Sequence, residues 1–237
     1  MNREQLIEHS QPFLAYLAEW KESLAPLPLK DLIADQPQRV ALLCVDLING
    51  FCYEGPLASP RVAALVAPIV KLFERAYQHG VRHFLLPQDT HAPEAIEFGA
   101  FPAHCVQGSH QSQTVPELQA LPFAHLFNVI PKNSINSAIG TGLDNWLTQH
   151  PEVDTFITVG DCTDLCVYQL AMHLRLRANA IGRPARVLVP ADCVDTYDLP
   201  VEAARNIHAM PHAADLLHYL FLYHMALNGV EIVATLS

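Results

Sequence analysis

Residues 40–45, Val-Ala-Leu-Leu-Cys-Val, form an unbroken apolar run. A strand with one wet face alternates apolar and polar residues, so a strand apolar at every position is buried on both faces. Both faces must then be covered by other layers, which points to the centre of a parallel sheet. The rest of the chain agrees with this reading. Apolar runs at 81–87, 126–131, 153–159, 185–190 and 230–235 alternate with helical spacing at 60–79, 143–150, 164–179 and 200–227, the last broken near Pro211. The pattern predicts an α/β fold: a doubly wound, mostly parallel six-stranded sheet flanked by helices, a Rossmann-like three-layer sandwich.

Ahead of this pattern, Leu6, Phe13, Leu14, Leu17, Trp20 and Leu24 recur near helical spacing, and Pro26, Pro28 and Pro37 punctuate the stretch between them and the first strand. The expected organisation is an N-terminal helical extension and linker over 1–37 and one α/β domain over 38–237. Hydrophobic residues make up 51% of the 237, enough for a large core, and the formal charge of −10 speaks against a nucleic-acid surface. No apolar run reaches the ~20 residues of a membrane span. Glu4, Glu8 and Glu19 interrupt the N-terminus, and the six cysteines include no CxxC pair. The expectation is therefore reduced thiols in the cytoplasm. The N-terminal helix and the apolar stretch 199–227 exceed what one small domain needs, which suggests a homo-oligomer.

In doubly wound sheets, ligands sit beyond the carboxyl ends of the strands, near the reversal of strand order. The residues leaving the strands are Asp46, Gln88-Asp89, Lys132, the segment Gly160–Cys166, and Asp192. Cys166 opens a helix, where the dipole favours thiolate and the first N–H groups lack intrahelical partners. Thr163 or Asp164 is placed to cap that helix. Alone, Cys166 is as well explained as a small core residue, Asp46 as a loop cap and Lys132 as a surface charge. Together at three strand ends, a carboxylate to take a thiol proton and an ammonium to align the pair compose a nucleophilic site.

A second cluster comes after the second strand. Asp89 and His91 stand two residues apart, so an extended exit turns both to one side, and Glu97 and His104 lie on the loop beyond. Two imidazoles with one or two carboxylates suit a divalent metal, Zn²⁺ first and Fe²⁺ or Mn²⁺ after it. His110, His125, His150, His173, His208, His212, His218 and His224 lack matching partners by spacing and are read as structural or solvated.

Val45-Asp46-Leu-Ile-Asn49-Gly-Phe51-Cys52 with Gly55-Pro-Leu57-Ala58, Ile130-Pro-Lys132-Asn-Ser134, and Gly160-x-x-Thr163-Asp164-x-Cys166-Val167 resemble the isochorismatase-like cysteine hydrolases, and the nicotinamidases among them. The resemblance spans about 38–198 and omits the first 35 or so residues. It implies an isochorismatase-like fold and a catalytic triad of Asp46, Lys132 and Cys166. It also implies a cis peptide at Asp161–Cys162, with the amides of Cys162 and Cys166 as the oxyanion hole. Asp89-x-His91 and Phe101-Pro-Ala-His104-Cys105 match the nicotinamidase metal elements, and Glu97 stands where some bacterial members place a further ligand. In those enzymes the metal holds the pyridine nitrogen, and residues matching Phe51 and Phe101 sandwich the ring. Ile48, Gly50 and Thr90 depart from the usual residues, and Asp161 is unusual beside an oxyanion hole.

What the resemblance implies is a metal-assisted cysteine hydrolase of a small-molecule amide, nicotinamide first. A related hydrolase of another small amide, carbamoyl compound or vinyl ether is the alternative. From another class, a catalytically idle fold that binds a small ligand or partner protein would share the scaffold without the chemistry.

Overall fold

The computed structural model describes residues 1–237. Its centre is β1 (Val40–Val45), buried at every position. Val40, Leu42 and Cys44 pack into one apolar layer, while Ala41, Leu43 and Val45 pack into the other. That is the alternation a strand imposes when both faces are covered. β2 (His83–Asp89) and β3 (Phe127–Lys132) lie on one side of β1. β4 (Thr155–Asp161), β5 (Arg186–Pro190) and β7 (Glu231–Val233) lie on the other. The order is β3-β2-β1-β4-β5-β7, and all pairings are parallel. A seventh strand not foreseen in the sequence, β6 (Val194–Asp195), pairs with the end of β4. Two residues are too few to leave a periodic signature.

Helix Val66–Gln78 buries Ile69, Leu72 and Phe73 against the first layer. Helices Leu143–Gln149, Cys166–Ala180 and Ala214–Leu227 cover the opposite face. The expected helix 60–79 is two helices, Pro60–Ala63 and Val66–Gln78, with Ala64 and Leu65 between them. No helix is long and apolar enough to cross a membrane.

The N-terminal helix Arg3–Glu22 begins with an Asn2–Gln5 capping box. Of its side chains only Leu17 is buried, and Phe13, Tyr16 and Trp20 meet Tyr223 edge-on with ring centroids 5.3–5.8 Å apart. The stretch read as linker is folded onto the core. A short helix, Leu29–Ile33, buries Leu29, Leu32 and Ile33, and Leu27 bridges to Leu236. Its prolines mark turns, and its leucines decide where the segment goes.

The chain builds outward from β1 on one side, then returns to start the other side at β4. The resulting crevice lies between the ends of β1 and β4. Gly160 lets these strands approach there. It has φ +112°, and a Cβ at this position would overlap the Val45 carbonyl oxygen. Gly160→Ala is therefore expected to destabilise the protein by about 3 kcal/mol or more, through strain and overpacking together. Urea unfolding followed by circular dichroism measures this; a loss below about 0.5 kcal/mol would contradict the close approach.

Candidate active site

Asp46 leaves β1 in the left-handed region, φ 59°, a conformation that aspartate tolerates better than most residues. The turn carries its carboxylate under the end of β2. Oδ1 accepts the Asp89 N–H at 2.7 Å, and Oδ2 lies 2.7 Å from Lys132 Nζ. Asp89 and Lys132 are the last residues of β2 and β3, and the parallel register sets them abreast. Lys132 donates to Asp89 Oδ1 at 2.5 Å, and its Nζ is 3.5 Å from Cys166 Sγ. One buried ammonium thus touches two buried carboxylates and the thiol.

The charges respond to this enclosure. Burial and then Asp89 push the Asp46 carboxyl up to about 6, against the pull of Lys132. Burial would lift Asp89 too, but Lys132 and the imidazoles of His104 and His91 hold it well below the usual carboxylate range. Burial lifts the Cys166 thiol well above its usual value despite Lys132. Burial and the helix N-terminus therefore pull this thiol in opposite directions, and the base beside it decides when the proton leaves.

Cys166 is the first residue of helix Cys166–Ala180. The Asp161–Cys162 peptide bond is cis, at the bond where the resemblance put one. In the turn after it, the Cys162 carbonyl accepts the N–H groups of Leu165 and Val167, both at 3.1 Å, whereas the Cys162 and Cys166 N–H groups donate to no backbone oxygen. Neither Thr163 nor Asp164 caps the helix. The turn is closed by its own backbone, and both side chains reach back to histidines read as bland. Thr163 Oγ1 lies 2.8 Å from His218 Nδ1, and Asp164 Oδ2 lies 2.8 Å from His212 Nε2. His212 in turn stacks on Tyr197 at 3.9 Å between centroids.

The metal candidates also converge. Ligand atoms of Asp89, His91 and His104 all lie within 4.8 Å of one another. His91 Nε2 is 3.4 Å and His104 Nε2 is 3.7 Å from Asp89 Oδ2, and Glu97 Oε1 stands 3.9 Å from His91 Nε2. Behind the rings, His91 Nδ1 faces Asn133 Oδ1 at 3.2 Å, and His104 Nδ1 faces the Pro102 carbonyl at 2.8 Å. Carbonyl acceptors at both Nδ1 atoms fix tautomers whose Nε2 lone pairs point inward, the outer-shell arrangement of metal-binding histidines. The buried His91 Nε2 has no hydrogen-bond partner within the chain. The donor set therefore fits a divalent ion. Asp89 joins the two clusters, with one oxygen on Lys132 and the other facing the imidazoles.

Phe51 and Phe101 line a cavity of about 480 Å³, open mouth included, together with Asp46, Glu97, His104 and Cys166. Sequence reasoning did not assign Asn133, Leu165 or Tyr197 to this site. Asn133 adjoins Lys132 and was legible as a motif neighbour; the other two had no signal by spacing. Asp192, though at a strand exit, does not line the cavity, because β5 lies away from the β1–β4 crevice.

Comparison with known proteins agrees with this geometry. A family model described as the isochorismatase domain matches residues 40–217. The chain belongs to the isochorismatase family. Nicotinamidase 1 of Arabidopsis thaliana is 28% identical over 87% of this chain and 90% of its own length. Nicotinamidase/pyrazinamidase of Mycobacterium tuberculosis is 31% identical over 70% of this chain and 93% of its own. Among solved structures, a cysteine hydrolase from Pseudomonas syringae pv. phaseolicola superposes with a TM-score of 0.70 at 19% identity, over 90% of this chain and 92% of that one. At that identity the likeness shows the shared family fold.

The Asp164–His212 pair gives the turn a pH signature. Burial alone would lower His212, but Asp164 outweighs it and raises the imidazole above its ordinary value. A raised folded-state value means that the stabilisation is complete below the unfolded value, about 6.5, and is lost as pH rises through the folded one. The Tm difference between the wild type and Asp164→Asn is expected to be about 2–4 °C larger near pH 6 than near pH 8.5. Thermal melts at the two pH values measure it; an unchanged difference would mean that the pair carries no charge coupling.

Proposed function

We propose that this isochorismatase-family chain is a cysteine amidohydrolase of the nicotinamidase type, converting nicotinamide and water to nicotinate and ammonia. The single observation carrying the proposal is Lys132 Nζ within 2.7 Å of Asp46 and 3.5 Å of Cys166, the latter two lining one cavity. The relatives named nicotinamidase support the choice of substrate.

In the proposed sequence, Asp46 removes the proton from Cys166 as sulfur attacks the amide carbon. Its raised pKa suits it to both halves of a proton shuttle. The carbonyl oxygen, now negative, rests on the Cys162 and Cys166 N–H groups, which are free to receive it. Asp46 returns the proton to the departing nitrogen, ammonia leaves, and an S-acyl thioester remains. Asp46 then takes a proton from water as the water attacks the thioester carbon. The carboxylic acid departs and the thiol is restored. Lys132 keeps Asp46 and Asp89 ionised at a depth where neither would otherwise hold charge. Phe51 and Phe101 offer aromatic walls to a flat ring.

Asp89, His91 and His104, with Glu97 at the edge, would hold the divalent ion, with Zn²⁺ the first choice for this donor set and Fe²⁺ or Mn²⁺ the alternatives. Bound there, it supplies a Lewis-acid contact for a ring nitrogen. Six free thiols suit a reducing compartment, for which the cytoplasm is the proposal.

An ammonia-release assay with nicotinamide tests the reading. Cys166→Ala is expected to lose activity roughly 10⁴-fold or more, and Asp46→Asn about 10²–10⁴-fold. Chelation should suppress the wild type and added Zn²⁺ restore it. Full activity in Cys166→Ala would refute the mechanism, while iodoacetamide labelling of Cys166 no faster than of the other thiols would favour an idle binding protein.

We also infer that copies associate through the N-terminal helix, whose Leu6, Ile7, Phe13 and Leu14 are exposed at 38–54%. Light scattering at micromolar concentration is expected to give more than one copy, and deletion of residues 1–22 to reduce the number. A monomeric full-length chain would contradict this.

A further inference from the structure

Asp161 ends β4 and shares a sheet face with Ile157 and Val159, since successive strand residues alternate. Those two sit fully inside the apolar layer that also holds Cys44. Asp161 is as deep as they are, 1% exposed. An apolar side chain would complete the row without penalty, yet the chain puts a carboxyl group there. Its Oδ1 has no hydrogen-bond partner, and Oδ2 meets only the Cys162 thiol, at 3.7 Å. The nearby ammonium does not serve it, because Lys132 is engaged by Asp89, Asp46 and Ser134.

Buried polar groups in folded proteins are nearly always bonded, so an orphan carboxyl marks a partner supplied from outside the fold. Asp161 lines the candidate active-site cavity, beside Phe51, Leu57 and Val62. Burial, and then the charge of Asp46, push it well above the usual carboxylate range. That shift favours the protonated form, which offers one O–H donor and one carbonyl acceptor to whatever fills the cavity.

The groups of a scissile aromatic amide already have partners in the proposed mechanism. The carbonyl oxygen goes to the Cys162 and Cys166 N–H groups, the nitrogen to Asp46, and a ring nitrogen to the side of the cavity that holds His104. None of them is left for Asp161. A plain ring would lay a hydrocarbon edge against an unbonded acid, which penalises binding of that ring.

We propose that Asp161 is a specificity-determining residue, and that the amide hydrolysed by this chain carries a further hydrogen-bonding group, a ring hydroxyl or amino substituent, on the edge that meets the cavity floor. The proposal rests on the amidohydrolase reading above and narrows its substrate to polar-substituted relatives of nicotinamide. A site built around a hydrogen bond rejects the analogue lacking that group far more strongly than an apolar pocket rejects a misfit methyl group.

The test compares kcat/KM for nicotinamide with that for its hydroxyl- and amino-substituted ring derivatives. In the wild type, at least one substituted amide is expected to exceed nicotinamide by roughly 10-fold or more. Asp161→Val should bring that ratio to about one or below, whereas Asp161→Asn, which still donates and accepts, should keep part of the preference. If Asp161→Val fails to fold, calorimetric binding of the same amides to the Cys166→Ala protein reads the preference without turnover. The proposal is overturned if the wild type favours no substituted amide, or if Asp161→Val discriminates as the wild type does. A Cys166→Ala protein that binds substituted amides more tightly, paired with a wild type that releases no ammonia, would retain the specificity assignment and discard the amidase. Brisk hydrolysis without preference would do the reverse.

Discussion

One buried ammonium group holds the candidate site together. Two carboxylates as deep as Asp46 and Asp89 could not both remain ionised side by side without a cation between them, because burial and mutual repulsion would protonate at least one. Lys132 supplies that cation, and its own charge survives burial because the carboxylates surround it. The arrangement is a closed electrostatic unit in which each member keeps the others charged. Buried pairs of this kind add little to stability over an apolar core, and removing one partner is what proves costly. Their presence beneath a cavity lined by Asp46, Asp89 and Cys166 therefore speaks for chemistry rather than for folding.

The fold delivers this unit through strand register. Asp89 and Lys132 close β2 and β3 at matched positions, so their contact needs no loop to bring it about. Asp46 leaves β1 through a left-handed turn, and Cys166 arrives after β4 on a turn held by its own backbone hydrogen bonds. Three of the four groups thus rest on the most rigid part of the molecule. The fourth sits on a helix braced from behind by His212 and His218, residues that belong to the last third of the chain. Asp89 extends the unit by sharing one oxygen with Lys132 and turning the other to the paired imidazoles, which couples the nucleophilic and metal-fitting clusters through a single carboxylate.

Much of this was legible in the chain itself. The unbroken apolar run at 40–45 required a doubly covered strand, and the alternation behind it required a parallel sheet. The rule for such sheets then placed Asp46, Lys132 and Cys166 at one edge before any contact was known. Asp89, His91, Glu97 and His104 were readable because metal ligands must be of a few residue types at short reach. The weak signals were those without periodicity: a two-residue strand, a one-turn helix inside a proline-rich stretch, and the break at Ala64-Leu65.

Sequence alone determined which groups are available and at which strand ends they emerge, because hydrophobic period and chain order are properties of a single dimension. It could not determine what each group meets. That Asp89 serves two clusters, that Asp164 turns to His212 instead of capping its helix, and that burial works against the helix dipole at the thiol are all outcomes of side chains distant in the chain competing for the same buried space. Desolvation and partner choice depend on the whole enclosure, so only the tertiary structure decided them.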